Sequence, residues 1–168
     1  MDVRKIAVIG AGAMGNGIAQ VGLMAGYTVT MNDVEQRFIN RGVATIKDSL
    51  SKFVSKGKIT EDANKDMLSR LKTTTDIKEA VSDADLVIEA VFEDLDLKKK
   101  IFADLDAYAP ADAVLASNTS SMSITAIASA AKKPERVVGM HFFNPAVLLK
   151  LVEVIYADQS SDAAIQTT

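Results

Sequence analysis

Three observations predict an α/β domain built on a doubly wound, mostly parallel sheet. Short runs rich in Val, Ile and Leu alternate along the 168 residues with longer stretches of helical periodicity. The first run, Lys5 to Ile9, opens directly into Gly10-Ala11-Gly12-Ala13-Met14-Gly15. A later run, Asp85 to Ala90, is apolar almost throughout, as a strand covered on both faces must be.

Each element has its own local reason. After the first strand and its glycine loop, a helix from Met14 to Ala25 is closed by Gly26 as a C-terminal cap. Tyr27 to Met31 is a second strand, ending at Asn32-Asp33. Val34 to Lys56 is a long helical pattern stopped by Gly57, and Thr60 caps a second helix from Glu61 to Leu71, with Glu61 and Asp62 in its first turn. This inserted helical pair exceeds a minimal crossover and is expected to project from the sheet as an accessory hairpin. A weak strand over Leu71 to Thr75 and a short helix to Val81 precede the strand Asp85 to Ala90. The helix Asp94 to Tyr108 presents Leu97, Ile101, Leu105 and Tyr108 on one face, and Pro110 lies just beyond it. Ala113 to Ala116 is a strand, Ser117 to Ser121 a polar loop, and Ser123 to Ala131 a short helix. The strands Arg136 to His141 and Lys150 to Tyr156 follow, and Ser160-Ser161-Asp162 reads as the start of another helix.

Composition narrows the function. The 19 Lys+Arg and 22 Asp+Glu leave a formal charge of −3, and no basic run exceeds Lys98-Lys99-Lys100, so nucleic acid and membrane surfaces are poor partners. The absence of cysteine excludes a disulfide framework, a Cys-ligated zinc and a thiol nucleophile; no metal is expected. Arg4-Lys5 before the run Ile6 to Met14 has a superficial likeness to a secretory signal, but the glycines in register and the amphipathic stretch beyond argue against one. With no apolar run near the ~18 residues of a membrane span, a cytoplasmic location is the expectation.

The glycine loop matches G-x-G-x-x-G between a strand and a helix, the position where such a loop binds a dinucleotide. The first glycine permits the tight turn, the second admits a pyrophosphate close to backbone N–H groups, and the third lets helix pack on strand. Asp33, 18 residues after Gly15 at the end of the second strand, is placed to accept from ribose hydroxyls. Together these point to a Rossmann-type fold and to NAD as the cofactor, with a glycine turn that serves strand-helix packing alone as the alternative. Asp33 disfavours a 2′-phosphate, with Arg37 nearby as the opposing feature.

A second constellation is His141-Phe142-Phe143-Asn144-Pro145 with Glu153, 12 residues after the only histidine. Glu153 stands in an otherwise apolar strand, where burial of a carboxylate demands a partner. Neighbouring strands would let it orient the imidazole and stabilise the imidazolium that a general base becomes; a purely structural ion pair is the alternative. Ser117-Asn118-Thr119-Ser120-Ser121 lies at the ligand-binding edge of the sheet and offers a hydroxyl that orients substrate or nicotinamide, or a plain helix cap at Ser121 or Ser123. Ser49, Lys52 and Lys56 follow one another by helical spacing, which makes either a solvated face or a phosphate-binding patch.

Taken in order, Val8 to Gly15, Asp85 to Ala90, Ala116 to Ser121 and Gly139 to Pro145 resemble the 3-hydroxyacyl-CoA dehydrogenases, with the bacterial, clostridial-type 3-hydroxybutyryl-CoA enzymes as the nearest likeness. The resemblance implies reversible oxidation of (S)-3-hydroxybutyryl-CoA to acetoacetyl-CoA with NAD. His141 would move the hydroxyl proton and Glu153 would orient it. Ser120 would bind the substrate oxygen near the nicotinamide, and Asn144 would sit beside cofactor and His141. Gly10, Gly12, Ala13, Met14, Gly15, Asp33, Glu93 and Lys98 would contact the cofactor, and Ser49, Lys52 and Lys56 would touch CoA. Residues 1–157 would form the NAD-binding domain, and 158–168 the start of a helical C-terminal domain that in the family completes the cleft and makes a homo-oligomer. Ala146-Val147-Leu148-Leu149 replaces the family's usual proline- and methionine-bearing segment, which is expected to change packing near the site. A dehydrogenase of a non-CoA hydroxy acid and an NAD-binding fragment with little activity alone are the competing readings.

Overall fold

Ile6 and Val8 join one hydrophobic cluster and Ala7 and Ile9 another, so the first strand buries both of its faces. Side chains alternate across a strand, and both faces of a parallel sheet are covered, so this is the pattern the near-continuous apolar runs require. The same sorting holds for Leu86 and Ile88 against Val87, and for Val114 and Ala116 against Leu115.

The computed structural model describes residues 2–168. The elements are β1 (Lys5–Ile9), α1 (Ala13–Met24), β2 (Thr28–Asn32), α2 (Gln36–Ser55), α3 (Glu61–Ser69), β3 (Leu71–Thr74), α4 (Ile77–Val81) and β4 (Leu86–Glu89). They continue with α5 (Leu95–Tyr108), β5 (Val114–Ser117), α6 (Ile124–Ala128), β6 (Val137–Phe142), β7 (Val152–Tyr156) and α7 (Asp162–Thr167). The strand order is β3-β2-β1-β4-β5-β6-β7, parallel except for β7, which runs antiparallel to β6. The chain winds outward from β1 to β3, then returns to β4 and winds the other way, so the switch point lies between β1 and β4. Among the described residues no helix is long and apolar enough to cross a membrane.

Element boundaries shift by one to three residues from those read in the sequence, two expectations fail more substantially, and one short element was not expected. The helical pair α2 and α3 does not project: Ile39, Ile46 and Leu50 are fully buried in the same cluster as β1 and β2, with Met67 and Leu68 against it. On α5 the buried face is Lys98, Phe102 and Leu105, whereas Leu97 and Tyr108 are exposed. The chain before β6 makes a turn of 3-10 helix, Pro134–Arg136, that the periodicity did not show. The caps hold: Thr60, Ser123 and Ser161 each accept an N–H from the first turn of their helices. α7 packs on the same core through Ala164.

Candidate active site

The glycine loop is held from three sides. Gly10 adopts φ +103°, closed to other residues, and a Cβ there would lie 2.7 Å from the Ala90 carbonyl oxygen. A Cβ on Gly15 would lie 1.7 Å from the Gly10 carbonyl oxygen, so helix α1 starts directly on its own loop only because that residue is glycine. Asp33 accepts the Ala11 N–H on Oδ2 and the Val34 N–H on Oδ1, both at 2.8 Å, which fixes the loop to the end of β2. A Cβ on Gly12 would meet nothing within 4 Å, and no side chain caps the first turn of α1. Open space over uncapped N–H groups, with a carboxylate beside it, fits the pyrophosphate and ribose of NAD. Arg37 is tied to Glu35 at 2.9 Å, which draws it toward that carboxylate rather than leaving it as a free cation beside Asp33.

β6 and β7 pair His141 directly with Glu153. Nδ1 of His141 lies 2.8 Å from Glu153 Oε2, and with the carboxylate as acceptor the Nδ1–H donates, leaving Nε2 free to take a proton. The burial argument for Glu153 is overturned, since its side chain is 53% exposed; on an edge strand with one open face the carboxylate meets solvent, and burial demands no partner for it. The Phe143 ring tilts against the imidazole at 4.6 Å and limits its rotation.

The loop after β5 is tied down from β4. Glu89 is fully buried at the end of that strand and accepts from Lys98 Nζ at 2.6 Å, Ser117 Oγ at 2.7 Å and Val91 N–H at 2.7 Å. Glu93, half exposed above it, accepts from Thr119 Oγ1 at 2.7 Å and the Ser120 N–H at 3.3 Å, with Lys98 Nζ 3.8 Å away. Asn118 Oδ1 accepts the Phe142 N–H at 2.8 Å and ties this loop to β6.

These elements enclose an open cleft of about 200 Å³ at the sheet's C-terminal edge, with Met14, Glu93, Asn118, Ser120, His141 and Asn144 in its walls. A second cleft of about 170 Å³ shares Ser120 and His141 and adds Met122, Ile124, Glu153 and Ile155. Residues far apart in the chain are thus collected on one imidazole. Lys98 is not among them, being 1% exposed beneath the loop, and neither are Ser49 and Lys52 on α2, where Lys52 pairs with Asp48 at 2.7 Å, or Lys56 at its C-terminal cap. Asn118 and Glu89 are participants that sequence reasoning missed. The signal for Glu89 was present: a carboxylate closing the apolar run from Leu86 to Ile88.

The profile of the family described as "3-hydroxyacyl-CoA dehydrogenase, NAD binding domain" matches residues 5–168. The chain belongs to that family. It is 46% identical over 158 residues to a probable 3-hydroxybutyryl-CoA dehydrogenase of Deinococcus radiodurans, covering 94% of this chain and 56% of that relative. The crystal structure of 3-hydroxybutyryl-CoA dehydrogenase from Escherichia coli superposes with a TM-score of 0.96 at 43% identity, over 99% of this chain and 35% of the other. A 5-formyl-3-hydroxy-2-methylpyridine 4-carboxylic acid 5-dehydrogenase, an NAD-dependent dismutase, matches at 32% identity and a TM-score of 0.88, over 99% of this chain and 53% of its own. The chain therefore spans about half the length of the curated relatives it matches. NAD is the cofactor that this family domain binds.

Proposed function

We propose that this chain carries the cofactor site and the proton-transferring pair of a dehydrogenase that interconverts short-chain (S)-3-hydroxyacyl-CoA and 3-ketoacyl-CoA, with 3-hydroxybutyryl-CoA as the leading substrate. The observation that carries this reading is the His141–Glu153 pair at 2.8 Å, whose imidazole lines the same cleft as Met14 of the glycine loop. When bound, NAD supplies the hydride acceptor or donor. Nε2 of His141 takes the hydroxyl proton in oxidation and returns it in reduction, while Glu153 holds the ring in one tautomer and offsets the imidazolium charge. Ser120 hydrogen-bonds the reacting oxygen, and Asn144, exposed beside His141, orients cofactor and substrate. Lys56, exposed and without a carboxylate partner among the described residues, is the freer of the two lysines for a CoA phosphate, with Ser49 and Lys52 along the same helix. The match to a dehydrogenase named for a pyridine carboxylic acid supports a second reading, a hydroxylated substrate without CoA on the same scaffold.

The experiment follows NADH after acetoacetyl-CoA is added, with this chain alone and with it fused to the remainder of the Deinococcus relative. Consumption that is lost in His141→Ala supports the proposal. NADH that is bound and left intact with acetoacetyl-CoA, but consumed with a free keto acid, favours the second reading. Failure with both substrates in both proteins would overturn the two together.

A further inference from the structure

Three charged side chains beneath the cleft form one unit. Glu89 and Lys98 are 0% and 1% exposed, and Glu93 is 45% exposed with its carboxylate in the cleft wall. Lys98 reaches Glu89 at 2.6 Å and Glu93 at 3.8 Å, so one cation serves two carboxylates. Among the described residues no other cation lies within ion-pairing distance of either. Formal charges of −1, +1 and −1 leave −1 on the unit, and its solvent-facing member is Glu93. The site is built to keep it there. Every oxygen of Glu89 has a donor, and Glu93 is clamped by the Thr119 hydroxyl and the Ser120 N–H, so both carboxylates are held in place.

If His141 is the base, as proposed above, the nicotinamide ring occupies this same cleft, because hydride transfer requires contact with the carbon whose oxygen the imidazole serves. The oxidised ring carries a positive charge and the reduced ring none. We propose that the Glu89–Lys98–Glu93 unit sets the balance between the two redox forms of the cofactor: its net negative charge, presented through Glu93, favours the oxidised form relative to the reduced one. Lys98 is then a positioning residue that keeps this charge at one unit rather than two and holds Glu93 in place. The inference rests on the functional reading above for the location of the ring.

The unit makes opposite-signed predictions that a merely structural role does not. Dissociation constants for NAD⁺, NADH and ADP-ribose, which lacks the ring, are measured calorimetrically for the parental chain, Glu93→Gln, Glu89→Gln and Lys98→Met. Relative to the parent, Glu93→Gln lowers the preference for NAD⁺ over NADH by about threefold or more, the effect of a unit charge at ~7 Å even at the dielectric of water. Glu89→Gln moves it in the same direction by less, and Lys98→Met moves it the opposite way. ADP-ribose affinity stays constant in Glu93→Gln. Should Lys98→Met fail to fold, the half-exposed Glu93→Gln decides alone. A common loss for all three ligands, or an unchanged NAD⁺ to NADH ratio in Glu93→Gln, overturns the proposal. The reading on which it rests fails by a different result, absence of NADH consumption with acetoacetyl-CoA and with a free keto acid in both the chain alone and the fused protein.

Discussion

His141 and Glu153 face each other because β6 and β7 are antiparallel and in register, so the tautomer of the imidazole is set by strand pairing rather than by a loop. On the proposed role of His141 as proton acceptor, His141→Ala is expected to lower turnover of 3-hydroxybutyryl-CoA roughly 10²–10⁴-fold, checked by steady-state kinetics in the fused protein. Glu153→Gln keeps an acceptor for the Nδ1–H and loses the charge that stabilises the imidazolium. A charge-assisted hydrogen bond contributes about 1.5–3 kcal/mol, so kcat should fall by about tenfold to a hundredfold with KM little changed. A fall in Glu153→Gln as large as that in His141→Ala would mean that Glu153 does more than orient. Asp33 holds the Ala11 N–H on Oδ2 and the Val34 N–H on Oδ1, and the proposed ribose contact would be a second duty. Asp33→Ala should therefore weaken NADH and raise the relative affinity for NADPH, and an unchanged ratio between the two would remove the ribose assignment while leaving the loop-holding one.

Whole elements depend on Lys98 as well. This lysine sits in the buried stripe of α5 with Phe102 and Leu105, and its ammonium is the link between that helix and the end of β4. Lys98→Met leaves Glu89 as an unpaired buried carboxylate, and such a loss costs about 3–5 kcal/mol, read as a lower urea midpoint at unchanged slope. A loss under about 1 kcal/mol would show that Glu89 readily finds another partner. The same helix shows where sequence reading runs out. Apolar spacing chose Leu97, Ile101, Leu105 and Tyr108 as its buried face, because a lysine counts as polar in any such pattern; the ion pair turned the helix by about one position. The rule that an acid in an apolar strand needs a partner was sound, but it was applied to Glu153 on the open edge strand β7 and not to Glu89 on the central strand β4. One strand's position in the sheet separates these cases, and that position is tertiary information. By contrast, β1, the glycine loop and the loop from Ser117 to Ser121 were legible because turn chemistry and double-sided burial are local. The packing of α2 was also legible in Ile39, Gly42, Ile46 and Leu50, whose spacing marks a buried stripe, and length alone was misread as projection.

On the scale of the molecule, the half of the sheet that carries His141 is held to its helices by a second buried ion pair. Arg136, just before β6, donates to Asp106 Oδ1 at 3.0 Å and to backbone carbonyls at Asp106, Pro110 and Ala113, joining the end of α5, the approach to β5 and the start of β6. Asp106 Oδ2 accepts the Lys132 N–H at 2.9 Å. Burial pushes this carboxyl upward, but the Lys132 N–H and the Arg136 guanidinium outweigh it and hold the group below its ordinary value of 3.8. A carboxylate whose value is lower in the folded state contributes stability that is fully present above the unfolded value and disappears as pH falls through the folded one. Asp106→Asn cannot titrate and leaves a buried guanidinium without its counter-charge, so it should be about 3–5 kcal/mol less stable than the parent near neutral pH. That gap should stay flat down to about pH 5 and then narrow, because only the parent loses a contribution there. Urea denaturation at about pH 7, 5 and 3.5 measures it. A gap that stays constant to the lowest pH would show that Asp106 acts through hydrogen-bond geometry and not through charge, since an amide and a carboxylate would then differ by the same amount whatever the proton activity.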